Sequence, residues 1–234
     1  MIDRAQPLSR DKIVAAAVEL VDADGYSAFS LRRLAAHLGV HDRAVRYHVG
    51  TREALLDMMV SQVVTEVNVP DPATVDWQDW FRLASSGIRR VMVAHPQMAP
   101  LVADLLPTGP VGTELIAGAA QALCRATDDI GAVADCLNAW TRFVVGTLTV
   151  EPGISRLASS RRSRPLNDQL DEMDPHPRHL LEELLRRAQA DHDLGAPFVS
   201  RLDSIFTGAL EVLVAGMAAR LESAQRDARM TGGR

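Results

Sequence analysis

The stretch from residue 41 to residue 48, HDRAVRYH, carries the side-chain types that read DNA bases in a major groove. Arg43 and Arg46 can each donate a pair of hydrogen bonds to guanine, and Ala44 can contact the methyl group of thymine. Asp42 repels phosphate unless it pairs with an arginine or accepts a hydrogen bond from cytosine. The composition of this stretch therefore predicts a DNA-recognition helix.

Side chains around these base-reading candidates are expected at the sugar-phosphate backbone of DNA. Hydroxyl, imidazole and guanidinium groups donate hydrogen bonds to phosphate oxygens, which position a protein on the duplex without reading its sequence. Arg52 falls in the first turn of the next predicted helix, where the helix N-terminus also favours an anion. The predicted backbone contacts are Ser30, Arg32, Tyr47, His48 and Arg52.

The distribution of charge supports this interpretation better than the total charge does. The formal net charge is −5, which alone argues against a nucleic-acid partner. Residues 25–52, however, contain five arginines against one acidic residue, and residues 53–234 contain 17 basic and 24 acidic residues. A basic segment on an acidic body can direct a polyanion to one end of the molecule. An ordinary solvated helix face is the alternative explanation of the same charges.

The hydrophobic pattern around this segment predicts the helices that must position it. Ser30 is a candidate N-cap for a helix with an apolar face, and Gly39 ends that helix. After a short turn, a second helix runs to about residue 48, so that two helices can pack at a steep angle and leave the second free to enter a groove. An earlier helix begins near Ser9, and a later one covers residues 51–68.

Beyond a proline-containing linker at residues 68–72, the pattern remains helical. Helices are predicted near residues 76–94, 97–106, 111–126, 129–150, 178–192 and 197–225, with a loop over residues 155–177. No alternating strand pattern is present. The sequence therefore predicts an all-α protein, in which residues 1–50 form a three-helix helix-turn-helix DNA-binding domain, residues 51–69 a connecting helix, and residues 70–234 a larger helical ligand-binding and dimerisation domain.

Composition and motifs exclude several other classes of protein. Hydrophobic residues make up 47% of the chain, enough for a sizeable core. The sequence has no run of about 18 apolar residues and no apolar signal-peptide segment near its start, so we expect a cytoplasmic protein with no membrane partner. Phosphate-binding, dinucleotide-binding, zinc-protease and hydrolase motifs are missing as well. No catalytic residue, metal or cofactor is therefore expected.

Large side chains outside the basic segment are candidates for lining a ligand pocket. They are Met59, Val63, Trp80, Met92, His95, Met98, Trp140 and Phe143. For the apolar members, plain core packing is the alternative, because large apolar side chains are usually buried anyway. His95 precedes a proline and is either a helix-end residue or a group that orients a ligand or its metal. His176 and His179 also have metal-ligand spacing, but the flanking prolines indicate a loop.

The turns, caps and core positions of residues 8–59 form one continuous pattern. Its motifs are DGY at 24–26, SLRRLA at 30–35, LGV at 38–40, YHV at 47–49 and REALLD at 52–57. This pattern resembles the N-terminal region of the tetracycline-repressor family. More loosely, WQDW at 77–80, HP at 95–96, LPTGP at 106–110 and FTGALEVL at 206–213 are similar to the C-terminal domain of its tetracycline-binding branch.

The resemblance implies a homodimer in which helices near 129–150 and 197–225 pack as a four-helix bundle. It also implies a pocket in each C-terminal domain for an inducer, expected to be a small apolar or antibiotic-like molecule, and release of the protein from a palindromic DNA operator when that pocket is filled. Repression is the usual outcome in the family. One position departs from the pattern: Arg46 stands where the family has a tyrosine, and Tyr47 follows it. Arg46 therefore either replaces an aromatic phosphate contact or reaches a base.

Two expectations follow from the residues themselves. The helix around residues 197–225 has apolar side chains on more than one face, which indicates a partner helix from a second copy of the chain. The helix over residues 51–68 is the covalent route between the two ends, and Met58 and Met59 either touch a ligand or fill the junction. The alternative to a regulator is a helical small-molecule carrier or enzyme that does not bind DNA.

Overall fold

The computed structural model describes residues 7–105, 109–159, 175, 178–179 and 199–231. These residues form nine α-helices and a short 3₁₀ turn (Tyr26–Ala28), with no β-strand among them. The helices are α1 (Arg10–Asp24), α2 (Leu31–Leu38), α3 (Asp42–Val49), α4 (Arg52–Val64), α5 (Trp77–Ala94), α6 (Ala99–Leu105), α7 (Pro110–Cys124), α8 (Ile130–Ser159) and α9 (Val199–Thr231). The predicted all-α fold class is confirmed.

Hydroxyl side chains cap the helices at the N-terminal end of the chain. Ser9, Ser30 and Thr51 each accept a hydrogen bond, at 3.1 to 3.3 Å, from the backbone N–H three residues further on. Such caps satisfy amide groups that the first helical turn leaves unpaired. Gly39 ends α2 with φ of 68°, in the left-handed region that glycine adopts without a steric penalty. These local signals fix the boundaries of the helix-turn-helix.

Apolar side chains hold the first four helices together. Ile13 and Val21 of α1, Leu34 of α2, Val45 of α3 and Leu55 of α4 are all fully buried. Helix α4 also packs against α5, α6 and α7. It therefore connects the N-terminal helices to the rest of the molecule by packing as well as by the chain.

Helix α5 lies at the centre of the C-terminal helices, where it packs against α7, α8 and α9. Trp80 and Phe81 of this helix meet Trp140 of α8 edge to face, with ring centroids 5.1 to 5.7 Å apart. All three side chains are almost completely buried. Aromatic packing of this kind adds about 0.5–1.5 kcal/mol per pair beyond the burial itself.

Helix α8 is longer than the sequence pattern predicts. Its end was expected near residue 150 because Pro152 and Gly153 disfavour helix, but the helix continues to Ser159. The prediction of a loop from residue 155 is therefore wrong for residues 155–159. A proline inside a helix costs about 3 kcal/mol, which the packing of α8 along α6, α7 and α9 can offset. Residue 175, within the predicted loop, is helical as well. The other residues of that loop and most of the helix predicted at 178–192 lie outside the described residues.

The last helix, α9, buries one face and exposes another. Phe206, Leu210, Val214, Met217 and Leu221 are buried at helical spacing. On the opposite side, Ile205 and Val212 are exposed, and Val212 is 74% accessible. By length and composition alone, the segment Asp203–Asp227 is apolar enough to cross a membrane. That apolar character is explained by the buried face together with an outer face that a single chain leaves uncovered.

Candidate functional site

The exposed face of α3 is the first candidate site. Val45 and Val49 are buried, and α3 packs against α1, α2 and α4. The other side of the helix therefore faces solvent, and Arg43, Arg46 and Tyr47 are all exposed there, with Tyr47 85% accessible. A short helix that is held by two valines and presents long donor side chains has the shape required to enter a major groove.

An ion pair within α3 determines where one of its arginines lies. The Nε atom of Arg46 donates to Oδ2 of Asp42 at 2.7 Å, one helical turn away. Of the two roles that the sequence left open for Asp42, pairing with an arginine or accepting from cytosine, the structure shows the first. Within the described part of the chain, Arg43 has no ion-pair partner. The two arginines of α3 therefore differ: Arg46 is oriented and partly neutralised, and Arg43 is a free cation.

Residues from neighbouring helices support α3 and its flanks. Arg10 donates from Nε to the backbone carbonyl of His48 at 3.1 Å, which ties α1 to the end of α3. The guanidinium of Arg52 lies over the rings of Tyr26 and Phe29, 5.7 and 6.0 Å from their centroids. Arg52 is therefore half-buried and held in place, with cation–π contacts of the usual geometry.

The remaining members of the basic segment have different environments. Arg33 bonds to the carboxylate of Asp24 at 2.7 Å and to the carbonyl of Ala28 at 3.1 Å, so its first role is to fix the turn after α1. Arg32 is exposed. Ser30 uses its oxygen to cap α2, and its hydroxyl hydrogen remains able to donate to a phosphate. Charge counting in the sequence did not separate these roles.

Trp80 and Trp140, the two tryptophans predicted to line a pocket, are buried in the interior. Trp80 donates from Nε1 to the carbonyl of Pro70 at 2.9 Å, and Trp140 donates to Oγ of Ser85 at the same distance. The cavity beside Trp140 measures about 20 Å³, which is room for about one water molecule. Contact of either tryptophan with a ligand stays a prediction.

The other predicted pocket residues lie in two places. Met59, Val63, Met92 and Met98 are buried where α4, α5 and α6 pack together. Phe143 of α8 is half-buried, and its ring centroid is 5.5 Å from that of Phe206 on α9. These candidates lie on several helices, and their contact with a ligand stays a prediction.

His95, at the C-terminal end of α5, joins three parts of the fold. Its Nδ1 atom is 2.6 Å from Oδ2 of Asp22 on α1, and its Nε2 atom is 3.4 Å from Oε2 of Glu66, which follows α4. Burial disfavours the charged imidazolium, but the hydrogen bond to Asp22 and the negative charges of Asp22 and Glu66 outweigh it and raise the pKa of His95. This cluster could not be predicted from sequence patterns, because its members are far apart along the chain.

Arg89 is a buried charge that the sequence reasoning missed. It is 8% exposed. Its Nε atom donates to the carboxylate of Glu151 on α8 at 2.9 and 3.0 Å, and its Nη1 atom pairs with Asp203 on α9. The guanidinium also lies over the ring of Phe206, 5.1 Å from its centroid. The signal available in the sequence was the position of Arg89 on the apolar face of α5, one turn after Ser85.

Two larger cavities border the C-terminal helices. One, of about 400 Å³, lies between α5 and α9 and is lined by Ser86, Arg89, Arg90, Val93, Asp203, Phe206 and Thr207. The other, of about 330 Å³, lies on the outer side of α8 and α9 and is lined by Asp135, Cys136, Ala139, Val212, Leu213, Gly216, Met217 and Arg220. The first combines cations with an aromatic ring, and the second is continuous with the exposed face of α9.

Comparisons with known protein families cover both ends of the chain. Residues 13–59 match the profile described as bacterial regulatory proteins, tetR family. Residues 69–221 match the profile described as tetracyclin repressor-like, C-terminal domain. The two matches correspond to α1–α4 and to the helices from α5 onward.

Individual proteins show the same similarity. An HTH-type transcriptional regulator of Saccharopolyspora erythraea is 32% identical over 152 residues, and the alignment covers 63% of each protein, less than two thirds of that relative. Tetracycline repressor protein class A from transposon 1721 of Escherichia coli is 27% identical over 91% of this chain and 92% of its own length. The crystal structure of ActR from Streptomyces coelicolor in complex with actinorhodin superposes with a TM-score of 0.71 and 26% identity, covering 92% of this chain and 98% of ActR.

Proposed function

This chain belongs to the tetracycline-repressor family of bacterial regulatory proteins, and we propose that it is a ligand-responsive DNA-binding transcription regulator that acts as a repressor. The observation that carries the proposal is the exposed face of α3. Arg43, which has no acidic partner among the described residues, and Arg46, which is oriented by Asp42, are exposed on this face, and the other face of α3 is buried in the core. The two family matches confirm the resemblance that residues 8–59 indicate. We do not expect a regulator of this family to be an enzyme.

We propose that the ends of the chain have separate tasks. Residues 1–50 bind DNA, residues 51–69 connect, and residues 70–234 bind the ligand and form the dimer. Arg43 is the main base reader, because it is the exposed cation of α3 with no acidic partner among the described residues. Arg46, held by Asp42, contacts a phosphate or a base beside it. Such a protein works in the cytoplasm, where its operator DNA is.

We propose a homodimer built on the outer faces of α8 and α9. Ile205 and Val212 are exposed there, and glycines at 208 and 216 leave open space beside the helix. A second copy of the chain covers this surface if two helices from each copy form a bundle. Two identical recognition helices then face DNA, so the operator is an inverted repeat.

We propose that a small molecule bound among the C-terminal helices controls the DNA-binding end. The relative ActR has been crystallised with actinorhodin. In this chain, α4 packs against both α1 and the helices α5, α6 and α7, so a shift of α4 changes the separation of the recognition helices. If filling the pocket weakens operator binding a hundredfold, bound operator must weaken ligand binding by the same factor, about 2.7 kcal/mol.

The test of the function is binding to the DNA upstream of the gene, measured by fluorescence anisotropy with random DNA as competitor. We expect saturable binding that survives excess competitor. Arg43→Ala should weaken it and Arg90→Gln, an exposed arginine on α5, should leave it unchanged. Binding no tighter than to random DNA, both for the upstream region and for DNA selected from a random library, would support the alternative of a helical ligand carrier.

A further inference from the structure

The cavity between α5 and α9 (the Arg89 cavity) has the size and lining of a ligand site. Its volume is about 400 Å³, within the range of roughly 300–1,000 Å³ that small-molecule sites occupy. Its lining combines an apolar wall from Val93 and Phe206 with cations from Arg89 and Arg90. Many ligand sites have this composition, in which a few polar groups orient a molecule on an apolar surface.

The hydrogen bonds of Arg89 are incomplete. Its Nε and Nη1 atoms have carboxylate partners, but within the described part of the chain the buried Nη2 atom has none. A buried donor without an acceptor costs about 1–3 kcal/mol. An oxygen acceptor beside Nη2 removes that cost. Arg89 is therefore both fixed in position and short of one partner.

The side chains that line the cavity have an excess of one positive charge, which an anionic ligand group can pair with. Arg89 and Arg90 line it, with Asp203 as the one acidic residue among the described lining residues. Glu151 is not among the lining residues, and both of its carboxylate oxygens already accept a hydrogen bond from Nε of Arg89. Asp203 is 56% exposed, so its side chain can turn to water at little cost when another carboxylate takes its place on Arg89.

We propose that the Arg89 cavity binds aromatic carboxylates. This proposal rests on the proposed function only in its last step, in which the bound carboxylate acts as the inducer. The ligand's carboxylate displaces Asp203 and forms a two-pronged pair with Arg89, whose planar fork matches that geometry and brings an acceptor to Nη2. The aromatic body lies against Phe206 and Val93, and Arg90 adds a second positive charge at the mouth.

The other cavities of the described residues fit this ligand class less well. The space beside Trp140 is too small, at about 20 Å³. The cavity on α8 and α9 lies on the surface that the proposed dimer covers, and Asp135 already occupies the guanidinium of Arg220 there at 2.9 Å. A further cavity, between Asp57 of α4 and Pro110 of α7, is smaller still, at about 10 Å³. Of these four cavities, the Arg89 cavity alone combines sufficient volume with an incompletely bonded cation.

Occupation of this cavity has a mechanical consequence. Asp203 links the start of α9 to α5 through Arg89, and Glu151 links α8 to the same guanidinium. A ligand that displaces Asp203 removes this link between the start of α9 and α5, while the Arg82–Glu211 pair further along still joins the two helices at 2.8 Å and Glu151 keeps α8 attached. Because α8 and α9 carry the proposed dimer surface, the ligand then changes the relation of the two copies and, through it, the separation of their recognition helices.

The direct test is isothermal titration calorimetry of the full chain with 2-naphthoate, and with 2-naphthylmethanol as the uncharged match. We expect naphthoate to bind at least about tenfold more tightly, the equivalent of one charge-assisted pair. Arg90→Gln should weaken naphthoate severalfold. Asp203→Asn should tighten naphthoate binding, because the substitution removes a competing carboxylate. Misfolding cannot explain a gain in affinity.

Two outcomes would overturn the proposal: no heat of binding at about 1 mM naphthoate for either the wild type or Asp203→Asn, or equal affinity for naphthoate and the alcohol. Failure of the regulator function is a separate result, because it is read from operator binding by the ligand-free protein. Arg43→Ala provides the matched control. It should lose operator affinity and bind naphthoate as the wild type does.

Discussion

Arginine has opposite environments at the two ends of this molecule. On α3, Arg43 is exposed and free of acidic partners among the described residues, on a helix held by buried valines. On α5, Arg89 is buried, with Glu151 and Asp203 as ion-pair partners and Phe206 beneath it. The first arrangement keeps a hydrated cation available to a large polyanion. The second holds a dehydrated cation in one geometry, which suits selection of a small ligand.

The largest expected effect comes from removing the buried arginine. Arg89→Ala leaves the half-buried Glu151 without its partner, and partial burial already raises the pKa of that carboxyl even though Arg89 lowers it. Breaking a buried pair in this way costs about 3–5 kcal/mol. Urea unfolding followed by circular dichroism measures the loss. The double variant Arg89→Met with Glu151→Leu should recover most of it, and equal stability of the single and double variants would contradict a buried ion pair.

Removal of the exposed arginine should affect binding and spare stability. Arg43→Ala is expected to cost about 1–3 kcal/mol of operator affinity and to relax the preference at one base pair in each half-site. Its unfolding midpoint should match that of the wild type. Anisotropy titrations against a set of single-base operator variants provide the measurement. A uniform loss across all variants would mean that Arg43 contacts phosphate and reads no base.

The junction between the two ends should respond to pH through His95. Because the folded protein raises the pKa of His95 above its ordinary value of 6.5, this group adds stability below that value. The contribution is lost as pH rises from 6.5 through the higher folded-state pKa. Urea melts across this window should show the wild type losing stability on the alkaline side. The loss should be smaller in His95→Gln, which can donate to Asp22 but cannot become charged.

The smallest expected effect concerns Asp42. The Asp42–Arg46 pair is an exposed pair one turn apart, so Asp42→Ala should change stability by only about 0.3–0.5 kcal/mol. Operator binding should become tighter and the slope of log affinity against log salt steeper by about one, because Arg46 is released to neutralise a phosphate. An unchanged salt slope would indicate that Arg46 stays away from the DNA backbone.

The local features of the N-terminal end could be predicted from the amino-acid sequence. Serine and threonine caps, the stop at Gly39 and the apolar spacing of α1 to α4 depend on interactions between residues a few positions apart, so they can be read directly from the chain. The exposed position of Arg43 followed from the same periodicity, because α3 has only one apolar face. The long α9 and its two-sided apolar character were likewise visible in the pattern of residues.

Contacts between residues far apart along the chain depend on how the helices pack, and sequence patterns do not predict them. Asp22, Glu66 and His95 come together from three segments, and the pairing of Arg89 with Asp203 joins residues 114 positions apart. Trp80 and Trp140 meet in the core because α5 packs against α8, which no pattern of neighbouring residues specifies. Pro152 failed to end α8 for the same physical reason: the packing of a whole helix against its neighbours outweighs the preference of a single residue.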